Sequence, residues 1–206
     1  SSKIISTAFF GSGGAGNISI NTDTLTLSDM DLISTENESQ TGKTGSIDIH
    51  ADSIKMNSGR ISSRGENWKS NGGAITLTTN TLELLDYAQI SSSSGDGKAG
   101  NLNITANAIK LDHQNKYDCM GCGFRADVSG GEGGDIIIKT GALDIFNHMQ
   151  ISSSSYGNGN AGNIYVKAQS INIKDSDIPN VKAAGVPDGN GGINMVSFRF
   201  EPAGIV

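Results

Sequence analysis

A pentad repeats through nearly the whole of this 206-residue chain. It reads Gly, a polar or small residue, an aliphatic, any residue, an aliphatic. It stands as Gly16-Asn17-Ile18-Ser19-Ile20, Gly45-Ser46-Ile47-Asp48-Ile49, Gly73-Ala74-Ile75-Thr76-Leu77 and Gly100-Asn101-Leu102-Asn103-Ile104. Gly134-Asp135-Ile136-Ile137-Ile138, Gly162-Asn163-Ile164-Tyr165-Val166 and Gly191-Gly192-Ile193-Asn194-Met195 continue it, with glycine spacings of 29, 28, 27, 34, 28 and 29 residues. Nine and eleven residues beyond the glycine stand Leu25/Leu27, Ile54/Met56, Leu82/Leu84, Ile109/Leu111, Leu143/Ile145 and Ile171/Ile173. A third aliphatic at sixteen or seventeen (Leu32, Ile61, Ile90, Ile151, Ile178) precedes serine-rich sequence. Alternation with period two marks strands with one buried face. Each unit therefore predicts three short strands joined by polar turns.

Such a unit is too short and too one-sided to fold alone, so neighbouring units must stack to bury the apolar face. The expected architecture is all-β: a right-handed parallel β-helix, a solenoid of six to seven coils of about 28 residues with three strands per coil. With about 4.8 Å per coil, six coils make a rod about 30 Å long. Equivalent residues would lie in columns, with Ile, Leu and Val inside. Asn17, Asn101 and Asn163 would stack in one turn, exchanging hydrogen bonds along the axis. The whole of 1–206 reads as a single β-helix domain with uncapped ends and a surface insertion at about 113–127, inside the 34-residue unit.

Composition supports strands and excludes several classes. Gly 28, Ser 26 and Asn 19 exceed a third of the chain, and glycine costs about 1 kcal/mol per helical position relative to alanine. A helical bundle is excluded. The net charge is −6 and the 15 basic residues are scattered singly, whereas a nucleic-acid surface needs them clustered. No nucleic-acid partner is expected. No apolar run approaches the ~20 residues of a membrane span, and the start shows no signal-peptide pattern. The third turn varies in length and chemistry: Glu36 to Gly42, Arg64 to Lys69, Ser94 to Lys98, Ser155 to Asn160. On a solenoid scaffold, that is where a recognition surface belongs.

The motif Gly-Asn-Ile-x-Ile, then Leu-x-Leu, then Ala-Gln-Ile-Ser-Ser-Ser-Ser stands most fully at Gly73 to Asn101 and Gly134 to Asn163. It resembles the β-helical repeats of filamentous-haemagglutinin-like exoproteins, large adhesins secreted by two-partner systems, over roughly residues 1–195. The resemblance implies a secreted protein at the bacterial cell surface or outside the cell, with an adhesive or structural role in cell adhesion. It implies no catalytic site and no cofactor. No segment resembles the amino-terminal secretion domain of that family, which fits a fragment, a mature piece or a divergent relative.

In an exported protein, Cys119-Met120-Gly121-Cys122 is expected to form a short disulfide across the insertion. The alternative is a Cys2His2 metal site in which His113 and His148, in corresponding turns of successive coils but shifted by about one residue, join the thiolates. Gly130-Gly131-Glu132-Gly133-Gly134-Asp135 matches one calcium-binding nonapeptide, but such sites need tandem copies; a turn running into the next strand explains it more simply. Asn21-Thr22-Asp23 matches one polygalacturonase element whose companions are missing. Asp29/Asp31 and Asp175/Asp177 lie about five coils apart, too far to act as the acid pair of a glycosidase. No catalytic residue is assigned.

Trp68 and Tyr156, in third turns, could stack on sugar rings or a protein partner. Two functions compete: a non-enzymatic extracellular structural or adhesive β-helix, and a carbohydrate-active or glycan-binding β-helix with degenerate motifs. A cleft lined by acidic and basic residues from three adjacent coils would favour an enzyme. A smooth prism with Ser, Asn and Thr faces would favour the structural role, and the sequence shows that second pattern. Expected partners are host-surface or matrix glycans and proteins, together with further coils. Lys3 to Thr7 aligns with a third strand, so one chain stops about where the next would start. Ile4, Ile5, Phe9, Phe10, Phe198 and Phe200 would then form an end-to-end interface, either in a filament of copies or with flanking coils of a longer chain.

Overall fold

The computed structural model describes residues 1–39, 42–66, 70–114, 119 and 121–174, with the backbone of 186–187 and 193–194. The chain is a β-solenoid of about six coils with no helix among the described residues. One parallel sheet is built from long strands: β2 (Ile18–Ser28), β4 (Ile47–Asn57), β6 (Ile75–Leu85), β8 (Leu102–Asp112), β10 (Ile136–Phe146) and β12 (Ile164–Lys174). The other holds short ones: β1 (Lys3–Ala8), β3 (Leu32–Asn37), β5 (Arg60–Gly65), β7 (Gln89–Ser94), β9 (Gly123–Val128) and β11 (Gln150–Ser152). Strands of successive coils pair in register, so that Ile75, Leu102, Ile136 and Ile164 form one column.

The first two strands expected in each unit are continuous. They form one 11-residue strand, bent where Asp23, Asp52, Asn80, Asn107 and Gly141 fall out of the paired register. The sequence demands that bend. Leu77 and Leu82 both face the core but are an odd number of residues apart, and a flat strand would send them to opposite faces. A threonine locks the corner: the Thr22, Thr79 and Thr140 hydroxyls donate to the carbonyls of Thr24 (3.2 Å), Thr81 (3.0 Å) and Ala142 (2.9 Å).

Whereas the insertion lies between β8 and β9, a tight turn joins β2 to β3, β4 to β5, β6 to β7 and β10 to β11. It uses the left-handed region at Asp29, Met30, Ser58, Asp86, Asn147 and His148; Asp and Asn tolerate this conformation better than most residues. The ladder expected at Asn17, Asn101 and Asn163 does not form as such. An amide ladder that the sequence reading did not single out runs along the corner, where Asn107 Nδ2 donates to Asn80 Oδ1 (3.1 Å) and Asn80 Nδ2 to Asp52 Oδ1 (3.3 Å). At the pentad, the Asn17 and Asn101 side-chain oxygens accept instead from the backbone N–H of Ser46 (2.8 Å) and Asp135 (3.0 Å), one coil on.

The pentad glycine is a steric requirement. A Cβ on Gly45, Gly73, Gly100, Gly134 or Gly162 would overlap the carbonyl oxygen of the equivalent glycine in the preceding coil. Beside this glycine column runs a buried hydroxyl column. Ser63 Oγ accepts from Gly73 N (2.8 Å), Ser92 Oγ from Gly100 N (2.8 Å) and Ser153 Oγ from Gly162 N (2.8 Å). In the coil of the insertion, Ala126 takes this place and its carbonyl accepts from Gly134 N (3.2 Å). Ser92→Ala would leave the part-buried Gly100 N–H without that acceptor, a cost of about 1–3 kcal/mol. Ser93 points outward, and Ser93→Ala is expected to change stability by less than about 0.5 kcal/mol. Urea denaturation of the two variants reads the difference directly.

Three expectations shift. In the first coil Ile33, 1% exposed, takes the inward place expected for Leu32 and pairs with Ile61. The insertion ends before Gly123, because Gly123–Val128 is the β9 strand in register with Gln89–Ser94. Finally, Ile193–Asn194 (β14), expected to open a seventh coil, pairs antiparallel with Val186–Pro187 (β13). Ile178, Asp175, Asp177, Phe198 and Phe200 lie outside the described residues.

Candidate binding groove and cysteine turn

The outer face of the short-strand sheet carries a groove of about 400 Å³ across three coils. Strand parity decides what lines it. Inward go Ile61, Ile90 and Phe124, all fully buried. Outward go Arg60, Ser62 and Arg64 from β5, Gln89, Ser91 and Ser93 from β7, and Arg125 and Asp127 from β9. Ser62, Ser91 and Ser93 offer short side chains, and Arg60, Arg64 and Arg125 on the flanking strands offer long ones. The result is a serine floor between walls of arginine.

The charges are mostly paired within each coil. Arg64 Nη1 lies 3.1 Å from Glu66 Oε1. Arg125 Nε and Nη2 both lie 2.6 Å from Asp127 Oδ2, and Ser152 Oγ stands 3.3 Å from each oxygen of the same carboxylate. Arg60 has no carboxylate partner among the described residues. Gln89 is held by a 2.7 Å bond from its Nε2 to the Gly121 carbonyl. Tyr156, 73% exposed, stands at the rim. The groove thus combines three guanidinium groups with two carboxylates, a positive patch on a chain of net charge −6.

Of the residues singled out in the sequence, Tyr156 lines this groove and Trp68 lies outside the described residues. Sequence reasoning missed Arg60, Arg64, Arg125 and Asp127 as a group, and it favoured a smooth prism over the cleft that is present. The signal was their phase, two residues apart on strands whose aliphatics point inward. The insertion hid it in the fourth coil, where the inward place belongs to Phe124.

Among the described residues, the carboxylates weighed in the sequence do not converge. Asp23 and Asp29 are exposed on the first coil, and Asp31 accepts from the backbone of Ser2 (2.6 Å) and Ser28 (3.1 Å), bonds that hold its carboxyl below the ordinary range. The glycine-rich stretch at 130–135 is a turn running into β10: Glu132 lies 3.6 Å from Lys98, and the Asp135 carboxylate accepts from the Asn163 backbone (2.8 Å).

Cys119 and Cys122 are buried in the core, 6% and 2% exposed, rather than on the surface of an excursion. Their sulfurs lie at disulfide distance, with the Cα atoms 5.6 Å apart. Gly121, between the two cysteines, has φ +118°, and Gly123, which follows them and opens β9, has φ +98°. His113 is fully buried beside them, its ring edge-on to Tyr87 at 5.0 Å between centroids. One ligand atom each from His113, Cys119 and Cys122 lie within 4.8 Å of one another, the one such group of three among the described residues. His148 is not part of it. Asp112 pairs with Phe146, so His148 falls one place beyond His113, half-buried in the left-handed turn.

The architecture and the groove define a β-solenoid with a polar, arginine-walled face. Compared with known proteins, the chain matches no protein-family model, no curated protein and no solved structure. No helix among the described residues is long and apolar enough to cross a membrane.

Proposed function

We propose that this chain is part of a non-enzymatic, extracellular β-solenoid, an adhesive shaft at a bacterial cell surface, and that the arginine-walled groove takes carbohydrate. The resemblance to secreted adhesin repeats supports the setting. The groove carries the binding role. Serine hydroxyls, Gln89 and Arg side chains supply hydrogen bonds to sugar hydroxyls. Tyr156 offers a face on which a pyranose ring can stack, and Arg60 is available to an anionic substituent. Arg60 and Arg125 stand two coils apart, about 10 Å along the axis, so an extended oligosaccharide spans both.

Acidic and basic residues from three adjacent coils also favour a second reading, a carbohydrate-active enzyme. Against it, both groove carboxylates are engaged by arginines of their own coil. Glycoside hydrolysis needs one carboxyl free to give its proton and a second across the bond.

Arg60→Ala and Tyr156→Ala each test the groove. Both side chains are exposed, so melting temperatures should not move. Affinity for an acidic oligosaccharide should fall about ten- to a hundredfold for Arg60→Ala, the equivalent of one charged hydrogen bond. Titration calorimetry against acidic and neutral glycans reads this, and affinities equal to wild type in both variants would refute the assignment.

Ile4 and Ile5 of β1, and Phe9 and Phe10 just beyond it, are between 44% and 93% exposed at the outermost strand of the short-strand sheet, and offer apolar area there. That area fits a further coil in register, from flanking chain or a second copy. A concentration-dependent sedimentation coefficient that Ile4→Asp abolishes would identify the second copy.

A further inference from the structure

We propose that, in its dithiol state, the Cys119–Cys122 turn together with His113 binds one thiophilic divalent ion of the zinc type. Three observations converge on it. The three donor atoms lie within 4.8 Å of one another. Around a tetrahedral zinc, with Zn–S near 2.3 Å, two thiolates stand about 3.8 Å apart. Once the S–S bond is broken, the two sulfurs can part to that separation by side-chain rotation, while the Cα atoms stand 5.6 Å apart.

Next, all three residues are buried against the apolar core. A bare cation would be costly there. Two thiolates and a neutral imidazole make a site with no net charge, which carboxylates could match in charge but not in softness.

The surroundings also orient the donors. Gly121 and Gly123 take positive φ in and just after the turn that brings the two cysteine sulfurs together. The turn is pinned by Gly123 N to Ala88 O (2.9 Å), Gln150 N to Cys122 O (3.3 Å) and Gln89 Nε2 to Gly121 O (2.7 Å). Tyr87 packs against the His113 ring from the preceding coil. Supports of this kind raise the affinity of a metal site by fixing its ligands before the ion arrives. Three protein ligands leave a fourth position for water.

The two states interconvert by balanced chemistry. Starting from the disulfide, a phosphine reductant takes up one oxygen from water and becomes the phosphine oxide, while the S–S bond is cleaved to two thiols. Binding the ion then releases the two thiol protons, so affinity rises with pH.

The test uses the whole chain, reduced with a water-soluble phosphine under nitrogen, desalted, and titrated with Co²⁺. One equivalent is expected to produce thiolate-to-cobalt charge-transfer absorption with tetrahedral d–d bands, both bleached by stoichiometric Zn²⁺. Unreduced protein should give neither. Cys119→Ser should lose most of the charge-transfer intensity, and His113→Gln should weaken binding at least tenfold and shift the d–d bands. His148→Gln should match wild type. The proposal is overturned if the reduced wild-type chain gives no charge-transfer band, a result that needs no variant to fold. A His113→Gln chain, folded by circular dichroism, that binds cobalt as wild type would overturn it equally.

Discussion

Replacing Ile104 with aspartate is expected to abolish cooperative folding, or to lower the melting temperature by more than about 10 °C. Ile104 is 1% exposed and sits in register between Leu77 and Ile138, both fully buried. The substitution removes an aliphatic from the middle of a column and puts a carboxyl where every neighbour is a hydrocarbon. That group must lose its hydration or stay protonated, and either costs several kcal/mol. Single-domain stabilities are only about 5–15 kcal/mol in total. Ile104→Val, which removes one methylene, should cost about 0.5–1.5 kcal/mol and separates lost volume from buried charge. Thermal unfolding followed by circular dichroism reads both variants. A melting temperature for Ile104→Asp within a few degrees of wild type would mean that this position does not face the core.

The second large effect comes from a change that adds one carbon. Gly73→Ala places a Cβ against the carbonyl of Gly45 and within 2.8 Å of Ser63 Oγ. The Gly45 carbonyl is backbone and cannot swing aside as a side chain would. The two coils must separate locally, and Ser63 Oγ, which accepts from Gly73 N and donates to Gly45 O (3.1 Å), is pushed from its place. The expected loss exceeds about 3 kcal/mol, among the larger effects of single substitutions. Gly13→Ala is the control, since a Cβ there meets nothing within 4 Å. Equal urea midpoints for the two variants would contradict the stacked-glycine account.

These two positions also show how the fold was legible in the sequence. A column of glycine next to columns of aliphatics, recurring at about 28 residues, can be satisfied only by coils stacked closely enough for backbones to touch. The strand phase failed at Leu32, where two adjacent aliphatics, Leu32 and Ile33, offered equally good periodicity. Pairing with Ile61 decides between them, and register is a property of the stack.

The groove was less legible. Its arginines lie on different coils, and each looks like an isolated surface charge until parity and register bring Arg60, Ser91 and Arg125 to one face. The insertion also broke the count that would have aligned β9. At the cysteine turn, spacing already set His148 about one residue out of step with His113. The register confirms that offset, and the donor cluster holds His113 alone of the two.

The central claim is that the groove holds an acidic polysaccharide without cleaving it. Affinity electrophoresis through gels cast with such polysaccharides, followed by chain-length analysis of polymer incubated with the protein, tests both halves together. Retarded migration of the wild-type chain is predicted, relieved in Arg60→Ala, with the polymer's length distribution unchanged. Shortened polymer would contradict the non-enzymatic reading, and unretarded migration across the acidic panel would contradict the binding role itself.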